Sequence, residues 1–253
     1  MHLNLILYIK NDILLKEKGK NFNPGIRSPL YFIRKGLYKK IKQYAPLLNG
    51  KLLDFGCGAK PYEHLFTNAD SYVGVDYMSE GHDHANEKID FYYDGHTLPF
   101  ADDEFDAIFS SEVFEHIFNL PEILKELNRV LKPGGQLLLT CPFAWPEHEV
   151  PADYARYTKF ALKDMLEKNC FIITTNDKSG DFATTIFQLK ILYFRDHRIA
   201  AVPLLGKLNL FGKFCRQIII PAMNIYYSIL HKIVPKRQDL YLNNIILAKK
   251  KEK

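Results

Sequence analysis

The chain has 253 residues, 47% hydrophobic and 25% charged, the make-up of a globular chain with a real core: one large domain, or one domain with an appendage. Its four cysteines, at 57, 141, 170 and 215, have neither metal-ligand spacing nor the density of a small secreted framework, which points to a reducing cytoplasm. The net charge of +5 hides a division: residues 1–42 carry +8, residues 43–181 carry −13, residues 182–237 carry +8 and the tail from 238 carries +2. Basic flanks around an acidic middle suggest an anionic partner, and no nucleic-acid motif accompanies them.

Residues 3–9, LNLILYI, are apolar but too short to span a bilayer. No basic residue precedes them and no small-residue cleavage site follows, so a signal peptide is not expected. From Pro29 onward, apolar residues at 30, 33, 37, 41 and 44–45 predict a helix with a basic opposite face. Leu52, Leu53 and Phe55 then read as a short buried strand, running into Gly56-Cys57-Gly58, where the backbone can approach a ligand closely. Pro61 suits the first turn of a following helix. The third glycine of a dinucleotide fingerprint is missing, and Asp54 before the turn would repel a pyrophosphate, so a nicotinamide-dependent oxidoreductase is disfavoured.

Residues 71–76 predict a second strand ending in Asp76, twenty positions beyond Gly56, the separation at which a carboxylate reaches ribose hydroxyls in a doubly wound sheet. His82-Asp83-His84 lies in a polar loop and reads as a solvated run rather than a metal site. Residues 88–93 predict a third strand, followed by Asp94-Gly95, and residues 105–111 a fourth, apolar in its middle. Residues 121–131 have the spacing of an amphipathic helix stopped by Lys132-Pro133-Gly134-Gly135, and QLLLTCP is a fifth strand.

The D-x-G-C-G turn, the twenty-residue stretch LPFADDEFDAIFSSEVFEHI and R-V-L-K-P-G-G before an apolar strand together resemble the class I S-adenosylmethionine methyltransferases of the small-molecule and glycan type, methyltransferase domain 11-like. The resemblance covers about residues 45–180 and a last strand. It implies a doubly wound α/β fold with a seven-stranded Rossmann-like sheet, six strands parallel and the seventh antiparallel, and S-adenosylmethionine as cofactor. Asp54, Gly56, Cys57 and Gly58 would then face its methionine part, Asp76 its ribose, Tyr77 and Asp94 with Gly95 its adenine. The helix after Pro29 would partly cover the cleft; a helix packed on the sheet edge is the competing reading.

Ser111, Glu112 and His116 follow the fourth strand at the switch point of the sheet, beside the methyl group to be transferred. His116 suits a general base, unless it merely starts the next helix. Residues 143–158, FAWPEHEVPADYARYT, leave the carboxyl end of the fifth strand. They read as an acceptor-binding lid, with a structural clamp as the alternative. His148 joins His116 as a catalytic candidate, and Trp145, Tyr154, Arg156 and Tyr157 are substrate-binding candidates. Thr158 caps a helix over 160–168. No ligand set for a metal is evident in the spacing.

Residues 171–175 predict a sixth strand and 241–248 a seventh, separated by far more chain than a hairpin needs. The intervening 182–237 is a basic, apolar, helical insertion, in which Pro221 interrupts the longest uncharged run. Buried core, a dimer face and an interfacial element all fit it. The expected organisation is a basic helical segment (1–44), a cofactor-binding core (45–181), the insertion (182–237) and a last strand with basic tail (238–253). The expected function is methyl transfer to a small-molecule, glycan or lipid-linked acceptor at the cytoplasmic face of an anionic membrane, with a non-catalytic cofactor-binding or scaffold protein as the alternative.

Overall fold

The computed structural model describes residues 22–77, 88–196 and 209–252, without the side chains of 196 and 209–216. The LNLILYI segment and His82-Asp83-His84 lie outside the described residues. Seven strands form one sheet in the order β3-β2-β1-β4-β5-β7-β6. They are β1 (Gly50–Phe55), β2 (Ala69–Tyr77), β3 (Phe91–Tyr93), β4 (Phe105–Ser111), β5 (Leu131–Pro142), β6 (Phe171–Ser179) and β7 (Asn243–Lys250). β7 runs antiparallel between β5 and β6, and the others are parallel, as expected.

Alternate residues along each central strand point to opposite faces, and each face is covered by helices. On one face Leu53, Ile108, Leu137, Leu139 and Ile246 pack against α2 (Leu120–Val130) and α3 (Lys159–Lys168), through Ile123, Leu127 and Leu166. On the other, Leu52, Phe109, Leu138 and Ile245 pack against α1 (Tyr31–Tyr44) through Ile33, Leu37 and Ile41. The apolar spacing read after Pro29 therefore marks the buried stripe of α1. Thr158 caps α3, its hydroxyl accepting from the Ala161 amide at 3.2 Å.

Three elements differ from expectation. No α-helix starts at Pro61; the chain makes a 3-10 turn, Glu63–Leu65, and returns to β2. Positions 56–68 are too few for a glycine turn, a full helix and a return, and Tyr62, Leu65 and Phe66 are drawn down onto the sheet instead. β3 is shorter than 88–93 because the Lys88 amide turns to the glycine loop, donating to Gly58 O at 2.9 Å, and regular pairing with β2 begins only at Phe91. Pro221 does not break the insertion, since helix α5 (Asn209–Leu230) runs through it.

The insertion packs against the core. Helix α4 (Phe182–Asp196) and α5 share a cluster of Phe187, Ile191, Ile220 and Tyr227, with the Phe187 and Tyr227 rings stacked 4.3 Å apart. Buried amides tie it to the N-terminal segment: Gln188 donates to Pro29 O at 2.7 Å, and Asn224 donates to Ile26 O and Ser28 O at 2.7 and 2.9 Å. The inner face is thus core. The outer face of α5 exposes Ile218, Ile225, Tyr226 and Ile229, and Ile233 continues the stripe. Among the described residues, no helix is long and apolar enough to cross a membrane.

Candidate active site

The carboxyl ends of β1, β2, β4 and β5 lie side by side along one edge of the sheet, and the expected site residues gather there. Gly56 and Gly58 both take left-handed backbone, at φ +72° and +46°. The reasons differ. A Cβ on Gly56 would lie 2.3 Å from Val113 Cγ2, so it is glycine for packing. A Cβ on Gly58 would meet nothing within 4 Å, so that turn borders open space.

Asp76 fastens the turn: its Oδ2 accepts from the Gly58 amide and its Oδ1 from the Tyr77 amide, both at 2.8 Å. Asp54 is buried and accepts from the Tyr72 hydroxyl at 2.7 Å; burial pushes its carboxyl up to about 7 despite that bond. Cys57 turns the other way, its thiol packed beneath Gly74 and pushed up by burial, so only its backbone borders the turn. Asp94 Oδ1 accepts from the His96 and Thr97 amides at 2.8 and 2.7 Å, which hold its carboxyl below the usual range. Gly95 (φ +85°) brings its backbone against the Tyr77 ring.

Beyond the switch point, Ser111 shares a 2.9 Å hydrogen bond with Thr140. Glu112, in left-handed backbone at φ +57°, accepts from Thr140 Oγ1 at 2.8 Å and Asn243 Nδ2 at 2.6 Å. The next turn carries Glu115, fully buried, and His116. Burial raises both Glu112 and Glu115. His116 Nδ1 lies 2.5 Å from Ala152 O, and its Nε2 lies 3.2 Å from His148 Nε2. Burial lowers the basicity of His148. The two catalytic candidates therefore meet, and Glu115 lies between them: its Oε1 is 3.7 Å from His116 Nε2 and 3.8 Å from His148 Nε2. The spacing of the sequence shows no metal-ligand set, yet the fold assembles three potential ligands here.

The substrate-binding candidates divide. Arg156 is committed to its own loop, donating to Trp145 O and Pro146 O at 3.0 Å and Ala155 O at 2.8 Å, and forking onto both Asp153 oxygens at 2.6 Å. Burial alone would raise the Asp153 carboxyl, but Arg156 and the His148 amide outweigh it and hold it at about 2. Arg156 is thus a staple of the loop, because its planar fork suits several fixed oxygens at once. Trp145 and Tyr157 pack against the two faces' core clusters. Tyr154 is exposed and meets the still more exposed Phe118 edge-on, 5.4 Å between ring centres.

Thr140, Asn243, Phe118, Lys60 and Asp90 also contribute to this edge of the sheet, and no motif in the chain marks them. Lys60, nearly buried at φ +50°, reaches under the glycine turn to Asp90 at 2.5 Å, and Asp90 also accepts from the Gly74 amide at 2.6 Å. The pair ties the turn to β2 and β3. A lone lysine two positions after a glycine gives no sign of this role; only the left-handed turn aims it downward.

Residues 53–139 match the family model described as a methyltransferase domain. The matched stretch is a methyltransferase domain of the class I S-adenosylmethionine-dependent kind. The chain is 36% identical over 95 residues to malonyl-[acyl-carrier protein] O-methyltransferase of Erwinia pyrifoliae, covering 36% of each chain. It is 31% identical over 140 residues to the mitochondrial ubiquinone biosynthesis O-methyltransferase of Homo sapiens, covering 46% of this chain and 38% of that one. It is 30% identical over 159 residues to the fatty-acid O-methyltransferase of Mycolicibacterium smegmatis, covering 56% of both. The match thus spans little more than a third of the first two relatives.

Among solved structures, the [4+2]-cyclase SpnF superposes with a TM-score of 0.54 at 20% identity, covering 91% of this chain and 86% of that chain. An S-adenosylmethionine-dependent methyltransferase from Mesorhizobium loti superposes at 0.50 with 15% identity, covering 89% and 100%. Both likenesses concern the fold.

Proposed function

We propose that the chain transfers a methyl group from S-adenosylmethionine to an oxygen of a small, lipid-like or lipid-linked acceptor. One observation carries the reading: the glycine turn beside open space at Gly58, pinned by Asp76 and backed by the buried Asp54, forms a carboxylate-lipped cradle for an adenosine bearing a positive sulfur. Bound there, the cofactor supplies an activated methyl group, and the chain's task is to hold the acceptor in line and dispose of its proton. Asp76 serves the ribose, Tyr77 and Asp94 flank the adenine, and Ser111 and Glu112 border the methyl end. His116 and His148 handle the acceptor's proton. The exposed Tyr154–Phe118 pair is an aromatic platform for the acceptor.

The acceptor class draws support from relatives whose names specify O-methylation, one of them of fatty acids. The basic flanks and the apolar outer stripe of α5 support work at an anionic membrane surface, where a sugar-containing lipid is also an eligible acceptor. Incubation with methyl-labelled S-adenosylmethionine and the membrane-lipid fraction of the host tests the reading, with labelled lipid as the expected product. Absence of binding to S-adenosylmethionine and S-adenosylhomocysteine in calorimetry would refute it. A cyclase on the same fold keeps a second reading in view, a cofactor-binding protein without methyl transfer. That reading predicts cofactor binding with no labelled product from any fraction.

A further inference from the structure

We propose that Glu115, His116 and His148 bind a divalent transition-metal ion of the zinc type. The separations among His116 Nε2, His148 Nε2 and Glu115 Oε1 are 3.2, 3.7 and 3.8 Å. The two longer ones exceed any hydrogen bond, yet they suit atoms that share an ion. A triangle with these sides has its centre about 2.1 Å from each corner, the bond length zinc takes to imidazole nitrogen and carboxylate oxygen.

Two independent features point to a cation. Glu115 Oε1 is fully buried and has no hydrogen-bond partner among the described residues, while its other oxygen accepts from the Cys141 thiol at 3.8 Å. An unsatisfied buried carboxylate oxygen is costly, and an ion would relieve it. Behind the ligands, each imidazole has an acceptor for its outer nitrogen. His116 Nδ1 donates to Ala152 O, leaving a lone pair on Nε2, and His148 Nδ1 lies 3.3 Å from Asp153 Oδ2. Arg156 Nη2, 3.3 Å from the same nitrogen, is already engaged with Asp153. Outer acceptors that fix the tautomer are the usual support of metal-bound histidines. Two imidazoles favour zinc, iron(II) or cobalt(II) over magnesium.

Both histidines keep part of their side chains exposed, and Glu149 Oε2 lies 3.8 Å from His116 Nε2, so open positions face outward. The role of the ion, unlike its binding, rests on the methyl-transfer reading. An acceptor hydroxyl bound at an open position loses its proton to solvent water. The oxygen's electron pair forms the bond to the methyl carbon, and the carbon–sulfur pair returns to sulfur. His116 and His148 then act as ligands, and the ion takes over the work of a base.

The test uses untagged full-length protein stripped with a chelator, titrated with zinc by calorimetry and with cobalt(II) by visible absorption. One ion per chain is expected, with a cobalt spectrum of nitrogen and oxygen ligation. Glu115→Gln, His116→Ala and His148→Ala should each weaken binding about 100-fold, and Asp153→Asn about 10–100-fold as an outer-acceptor loss. The exposed His96→Ala should bind like wild type. Circular dichroism and S-adenosylmethionine titration of each variant separate loss of the ion site from loss of the fold or the cofactor site. Zinc binding that is absent, or unchanged in folded His116→Ala and His148→Ala, overturns the proposal; retained S-adenosylmethionine binding would then leave the methyl-transfer reading standing.

Discussion

Glu112, just past the carboxyl end of β4, accepts a 2.6 Å hydrogen bond from Asn243, the first residue of β7. The bond joins the loop that leaves β4 to the antiparallel strand, 131 residues away in the chain. Asn243→Ala should lower stability by about 1–3 kcal/mol, the cost of stripping a hydrogen bond from a half-buried carboxylate. For a chain of this size that lowers Tm by about 2–4 °C per kcal/mol. Chemical denaturation of the single and double variants with Glu112→Gln measures the coupling, and a coupling near zero would remove the bond from the account.

The two glycines of the turn should separate fold from ligand. Gly56→Ala pushes a methyl group into Val113 and should cost stability about 2 kcal/mol or more, as overpacking and a left-handed alanine combine. Gly58→Ala meets open space and should cost about 1 kcal/mol from backbone strain alone. Its larger effect should be on S-adenosylmethionine affinity, because the added methyl occupies the ligand's side of the turn. Thermal melts and calorimetry on both variants read the two effects independently.

Asp54 sets the expected pH dependence. Burial raises its folded-state value to about 7, with Tyr72 and Lys60 lowering it and Asp76 and Glu63 raising it. The folded chain therefore holds a proton that the unfolded chain has lost, so this residue's contribution to stability falls as pH rises from about 4 to about 7. A sulfonium favours the ionised carboxylate. S-adenosylmethionine affinity should climb about tenfold between pH 6 and 8 and level off above. S-adenosylhomocysteine, which lacks the positive sulfur, should change much less, and Asp54→Asn should flatten the difference between the two ligands. Parallel titrations across that range check the sign.

The Lys60–Asp90 pair should be asymmetric. Lys60 is nearly buried, whereas Asp90 keeps 43% of its side chain exposed. Lys60→Met leaves a carboxylate that water and the Gly74 amide still serve, so the loss should be about 1 kcal/mol. Asp90→Ala strands an ammonium under the turn and should cost about 3 kcal/mol. Equal losses in urea denaturation would mean that the lysine finds water by another route.

Ile225→Lys with Ile229→Lys should abolish sedimentation with vesicles containing anionic phospholipid while leaving cofactor affinity unchanged. Both side chains are exposed on α5, away from the cluster of Phe187 and Tyr227 that holds the insertion. Wild-type protein that ignores such vesicles would remove the membrane from the proposed function.

What the sequence determined by itself is local. Alternation in Leu52-Leu53 and Leu137–Leu139, the helical spacing of Ile33, Leu37 and Ile41, the glycine turn and the acid at 76 each depend on a few neighbouring residues. Their backbone preferences and burial pattern select one element. Only the tertiary structure decided which distant groups meet. His148 reaches Glu115 and His116 because β4 and β5 lie side by side and their loops fold over the same edge. Asn243 reaches Glu112 because β7 enters antiparallel beside β5, and Arg156 becomes a loop staple because Asp153 and three carbonyls converge on it. Strand register and loop path set such contacts, and neither leaves a periodic trace in the chain.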